Sequence, residues 1–74
     1  MVVINREQVT HVEMSGQWGA YIYFNGYALK LWVTNEADQE ILLNFIEKNF
    51  NSIRSDAEFK LKQVPSVIKT RVMK

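Results

Sequence analysis

The chain has 74 residues, no cysteine, one histidine and a formal net charge of +1. A chain this short makes one domain and buries only about 60% of its unfolded surface, while the lack of cysteine excludes disulfides and thiolate metal sites and leaves a structural zinc almost no ligands. No run approaches the roughly 20 apolar residues of a membrane span, and the opening MVVINREQ has neither the basic region nor the long apolar run of a signal peptide, so a cytoplasmic protein is expected.

In chain order, Met1 to Ile4 is read either as a short strand or as cover for a sheet edge. Gln8-Val9-Thr10-His11-Val12-Glu13-Met14 alternates apolar and polar residues, the period of a half-buried strand. Ser15-Gly16-Gln17 reads as a three-residue turn, which pairs Met14 with Trp18, Val12 with Ala20 and Thr10 with Ile22. A two-residue turn would slip the register by one and bury His11 and Glu13 instead of Val12 and Met14.

Asn25-Gly26 between two alternating runs is the strongest local signal. A type I′ turn needs positive φ at both central residues, and Asn-Gly supplies it. The resulting hairpin sets Phe24 opposite Tyr27, Tyr23 opposite Ala28, Ile22 opposite Leu29, Tyr21 opposite Lys30, Ala20 opposite Leu31 and Gly19 opposite Trp32. Residues opposite one another share a face. One face therefore carries Ala20, Ile22, Phe24, Tyr27, Leu29 and Leu31, continuing to Trp18 and Val33, and is the predicted core.

A helix is expected from about Asn35 to Phe50. Thr34 or Asn35 is its N-cap, and Glu36 and Asp38 lie in the first turn, where the helix dipole favours anions. Ala37, Ile41, Leu42, Phe45, Ile46, Phe50 and Ile53 recur at three- and four-residue spacing and form one apolar stripe. The small Ala20 would let this helix approach the sheet closely.

The last third has two readings. Ser55-Asp56-Ala57-Glu58 has capping-box spacing and favours a second helix, whereas Phe59-Lys60-Leu61-Lys62 alternates like an edge strand guarded by lysines. After Pro65, Val64, Ile68 and Val72 fall at four-residue spacing, which predicts a short basic amphipathic helix. Charge divides sharply here. All eight acids and four bases (Arg6, Lys30, Lys48, Arg54) precede Phe59, and the five bases that follow, Lys60, Lys62, Lys69, Arg71 and Lys74, have no acid among them. Such a tail either binds an anionic partner or complements its own acidic body.

The expected class is α+β: a three-stranded antiparallel β-meander, or four-stranded if the N-terminus joins it, with one amphipathic helix on one face and a basic C-terminal element. Its parts are the meander (1–34), the helix (35–53) and the basic segment (54–74) of a single domain. Asn5, Val9, Val12-Glu13, Ile22, Asn25-Gly26, Val33 and Ile46-Glu47 follow a pattern that resembles the small FlbD-type proteins of flagellar operons, over residues 5–49. The resemblance implies the meander-plus-helix fold and brings no catalytic residues. Here the basic extension after Asn51 and the tryptophans at 18 and 32 are added to that pattern.

For catalysis, the candidates are few. His11 and Glu13 project from the same side of one strand and could hold a metal or pass a proton, but no third ligand is in view. Ser15 has no identified base, and the three glycines make no phosphate loop. The chain is expected to be non-catalytic and to need no cofactor or metal.

The second sheet face is more informative. It is expected to carry Val9, His11 and Glu13, then Gly19, Tyr21 and Tyr23, then Ala28, Lys30 and Trp32, with Tyr21 between His11 and Lys30 and Tyr23 between Val9 and Ala28. Trp32 lies across from Gly19, where an indole can cover strand backbone. Tyr and Trp beside a base are what binding hot spots favour. Either residues 55–74 fold over this face with Phe59, Leu61, Val64 and Ile68, or a partner does. The partner-binding candidates are Tyr21, Tyr23, Lys30, Trp32, His11, Lys60, Lys62, Lys69 and Arg71. The expected function is a protein-interaction module, an adaptor or modulator of a larger protein, with self-association through an edge strand as one form. Its alternative is a small nucleic-acid-binding regulator, with aromatics stacking on bases and the basic tail meeting phosphates.

Overall fold

The computed structural model describes residues 2–50 and 61–74. Among these residues it is an α+β fold with one α-helix and a four-stranded antiparallel sheet. In chain order the strands are β1 (Val3–Asn5), β2 (Val9–Ser15), β3 (Gly19–Phe24), β4 (Tyr27–Trp32), β5 (Leu61–Gln63) and β6 (Lys69–Met73), with α1 (Glu36–Phe50) between β4 and β5. The sheet order is β2-β3-β4-β6, and β1 pairs with β5 in a separate ribbon. Each ribbon strand leads into one edge of the sheet, β1 into β2 through a 3-10 turn at Arg6–Gln8 and β5 into β6. The N-terminal strand therefore exists but joins the ribbon, and the fourth strand of the sheet comes from the C-terminus.

The β3–β4 register is the predicted one, from Gly19 opposite Trp32 to Phe24 opposite Tyr27. Its turn differs. Within Asn25-Gly26 only Gly26 has positive φ (+93°), and no residue other than glycine has positive φ among the described residues, so the turn is not type I′. A type II turn places its one positive φ at the third residue, which suits glycine and leaves Asn25 unstrained.

The β2–β3 register is shifted by two residues from the expected one. Ser15 pairs with Gly19, Met14 with Ala20 and Val12 with Ile22, so the turn is Gly16-Gln17-Trp18, with positive φ (66°) at Gly16. A shift of two preserves faces, so Val12 still points to the core side. Trp18 does not: it sits in the turn, 43% exposed, and contributes its carbonyl, which accepts from the Val33 N–H at 2.9 Å. Met14 and Tyr27 are likewise on the core-facing side but exposed. A bulge between Val9 and His11 sets Val9 opposite Phe24. Val9 was expected on the aromatic face; the extra residue turns it to pack on the core instead. Thr10, left out of the ladder, donates its hydroxyl to the Tyr23 carbonyl at 3.0 Å.

Ala20, Ile22, Leu29, Leu31 and Val33 from the sheet and its end, Leu42, Phe45 and Ile46 from α1, and Ile4, Val64 and Ile68 from the ribbon and its connection form one core cluster. Helix and ribbon thus share the same side of the sheet. Of the predicted apolar stripe, Ala37 and Ile41 remain exposed and Phe50 packs at the margin, edge-on to Phe45 at 5.8 Å. Ile53 lies outside the described residues.

Asn35 is the N-cap. Its Oδ1 accepts from the Asp38 N–H at 2.9 Å, and its Nδ2 donates to Asp38 Oδ2 at 2.9 Å, a reciprocal pair that satisfies an otherwise unbonded helix-end donor. Asn35→Ala is expected to cost about 1 kcal/mol, read as a fall in Tm of about 4–8 °C for a domain of this size.

One expectation for the C-terminus is corrected, and one of two open alternatives is narrowed. The segment after Pro65 is not a basic helix: Pro65 opens a turn closed by the Ile68 N–H to the Pro65 carbonyl at 3.0 Å, and the chain then runs as strand β6. Nor do the described residues of the tail fold over the aromatic face. Val64 and Ile68 enter the core on the opposite side, and Leu61 is exposed. Phe59, Lys60 and the Ser55 to Glu58 capping box lie outside the described residues.

Candidate functional site: the aromatic face of the sheet

The face turned away from the helix is organised in rows, because ladder partners share a face. One row is His11, Tyr23, Ala28 and Met73. The next is Glu13, Tyr21, Lys30 and Arg71, and the third is Ser15, Gly19, Trp32 and Lys69. Tyr21 thus lies between Glu13 and Lys30, and Tyr23 between His11 and Ala28, correcting the expected neighbours by the same two-residue shift and the bulge.

The rings are mutually ordered. His11 stacks on Tyr23 with centroids 4.3 Å apart and planes 8° from parallel, and Tyr21 lies 6.2 Å from Tyr23 at a tilt of 36°. Lys30 Nζ sits 5.4 Å from the Trp32 ring centroid, a cation–π distance. Trp32 stands opposite the buried Gly19, where an added Cβ would lie 3.2 Å from the Leu31 carbonyl oxygen and 3.8 Å from the Trp32 Cβ. The tight contact is with the Leu31 backbone, so glycine at 19 fits the close approach of β3 and β4 there.

Tyr21, Tyr23, Ala28, Lys30 and Trp32 are half-buried, and His11, Glu13, Lys69, Arg71 and Met73 around them are exposed. The rings lie toward the centre of the face with Lys30 among them, and the other charged side chains lie at its margin. Strand β6 brings Lys69 and Arg71 onto this face, a juxtaposition that the predicted helix would not have made. Met73, on the same face and 41% exposed, was not among the predicted contact residues. The alternation Lys69-Thr70-Arg71-Val72-Met73 carries the signal that would have found it.

Lys62 does not belong to the site. It lies on β5 opposite Ile4 and is only 9% exposed; a lysine stem packs readily against apolar surface. Lys60 lies outside the described residues.

Partial burial and then the Glu13 carboxylate hold the Tyr23 phenol above its ordinary value of 10.0. Both disfavour the phenolate. A folded-state value raised above the unfolded one gives stability that is fully present below about pH 10 and is lost as pH rises through the folded value. In a spectrophotometric phenol titration, Glu13→Gln is expected to move the Tyr23 midpoint down toward 10.0 without restoring it fully, because burial remains. An unchanged midpoint would remove Glu13 as a cause.

The His11 and Glu13 pair is engaged in this surface, His11 by stacking and Glu13 beside the tyrosines. Among the described residues no group of three or more His, Asp or Glu side chains is placed to hold a metal. No helix among them is long and apolar enough to cross a membrane. Comparison with protein-family models, curated proteins and solved structures found no match.

Proposed function

We propose that this chain is a small, non-catalytic, cytoplasmic interaction module, an adaptor or modulator of a larger protein, that uses the aromatic sheet face as its contact surface. The meander and its packed helix serve as the scaffold, and the resemblance of residues 5–49 to FlbD-type proteins is taken for that scaffold alone. The observation that carries the reading is the row structure itself: Tyr21, Tyr23 and Trp32 at the centre of one face, with Lys30, Lys69 and Arg71 on the adjoining positions. Half-buried Tyr and Trp offer large rigid contact area, and tyrosine, tryptophan and arginine dominate binding hot spots. Glu13, directly opposite Tyr21, favours a protein partner over a polyanion.

The nucleic-acid reading keeps one specific support, the arrival of Lys69 and Arg71 beside half-buried aromatics on a sheet face. Salt separates the two. Neutralising about three phosphates of a single strand gives a log–log slope of binding against salt of about −2, and a mainly apolar protein interface gives a shallow one. We expect a partner protein to co-purify with the tagged chain at moderate salt, and weak, nonspecific retention on single-stranded nucleic acid. Tight nucleic-acid retention with the steep slope, and no partner protein lost on Tyr21→Ala, would replace the first reading by the second.

A further inference from the structure

The outer edge of β6 is a second recognition element, and its chemistry names the partner segment it suits. The Val33 N–H donates to the Trp18 carbonyl, so by the alternation of antiparallel ladders the peptide groups of Leu31, Leu29 and Tyr27 face β3. Those of Ala28, Lys30 and Trp32 then face β6, where their partners are Met73, Arg71 and Lys69. Thr70 and Val72 are left with their N–H and C=O groups directed outward, and among the described residues no strand pairs with this side of β6. Unpaired strand edges are templates for another strand.

The side chains along this edge are sorted by face. Arg71 stands directly opposite Lys30, and Lys69 follows opposite Trp32. Like charges facing one another across a ladder are unfavourable, and the nearest acid in that row, Glu13, is on the far side of Tyr21. On the other face Val72 is 58% exposed.

We infer that the free edge of β6 takes an extended protein segment that alternates acidic and apolar residues, its carboxylates beside Lys69 and Arg71 and its apolar side chains beside Val72. This rests on the reading of the chain as a protein-interaction module and adds the class of segment it recognises. A second copy of this chain fits poorly, because antiparallel pairing of two β6 strands sets the cations Lys69 and Arg71 against one another.

The test uses the full chain and a capped octapeptide alternating glutamate and valine, with its lysine–valine counterpart as control, followed by amide NMR. The Glu–Val peptide is expected to shift the Thr70 and Val72 amides and slow their exchange, and the Lys–Val peptide to do neither. Val72→Pro removes an outward N–H while leaving the β4 ladder intact, as edge prolines do, and is expected to weaken binding about tenfold or more; Lys69→Glu with Arg71→Glu should do the same through charge. Equal binding of both peptides, protection of the same amides by self-association without peptide, or their protection by an eight-nucleotide oligothymidine instead would overturn the inference. Peptide shifts confined to Tyr21, Tyr23 and Trp32, with Thr70 and Val72 unmoved, would overturn the edge and leave the aromatic face as the site.

Discussion

Leu31→Ala is expected to remove most of the stability of this domain. Leu31 is fully buried at the centre of the sheet, between Ala20 on β3 and Thr70 on β6, in the cluster that includes Leu42 and Ile46. Neither small ladder neighbour can collapse into the space, so the loss is expected in the middle of the range for buried leucine truncation, about 3–4 kcal/mol. Domains this small sit at the low end of the usual stability range, near about 5 kcal/mol. With a urea m-value of about 1 kcal/mol/M, the midpoint should fall by about 3 M at unchanged m. Ile41→Ala, at a helix position that is 39% exposed, should cost under about 1 kcal/mol by the same measurement, since less apolar area leaves water. Equal losses at the two positions would mean that the helix presents a different side to the sheet.

The second large effect is on binding. Replacing Tyr21 and Trp32 together with alanine is expected to weaken partner affinity by at least about 2 kcal/mol, some 30-fold, with the fold retained. Both residues lie on the two central strands, where a covering partner would exclude water most completely, and their backbones are held by ladders on both sides. Trp32 adds a cation–π contact with Lys30 that removal of the ring would leave solvated. By contrast His11 is on the edge strand β2, and Lys69 and Arg71 are on β6. Alanine at these rim positions should act mainly on the association rate and its salt dependence. A circular dichroism spectrum and a urea midpoint close to wild type are needed beside the affinity, so that lost binding is assigned to the surface. Full affinity in the folded double variant would exclude the aromatic face as the contact surface.

The parts of this fold that were legible in the sequence are those with a single geometric solution. Asn25-Gly26 between two alternating runs left one register for β3 and β4, which is the observed one, although glycine alone takes the positive φ. Parity placed Val12 on the core side correctly but could not distinguish registers that differ by two, because such registers have the same faces. The bulge at Thr10, which reassigns Val9, depends on a hydroxyl reaching the Tyr23 carbonyl across the strand pair and has no local sequence signature.

The C-terminal pattern fits both a helix and a strand. Ile68 and Val72 are four apart, which fits a helical stripe, but four is also twice the strand period, and Thr70 between them shares their face. Five residues contain too few turns for the two periods to diverge, and sheet pairing with β4 decided between them. Lys62 shows the opposite limit of a residue-type argument: its charge suggested a solvated tail, and pairing with Ile4 places it among buried positions. The aromatic face was anticipated through Tyr21, Tyr23, Lys30 and Trp32 because the hairpin register alone specifies them, whereas its basic margin required the long-range β4–β6 contact.

The most direct test of the central claim is hydroxyl-radical footprinting of Tyr21, Tyr23 and Trp32 in the free chain and in its complex with the co-purified partner. All three are expected to be oxidised in the free protein at rates suited to half-buried rings, with Phe45 protected throughout, and to become protected on binding. Protection of Tyr21, Tyr23 and Trp32 already in the free monomer would contradict that claim, because the chain would then cover its own aromatic face.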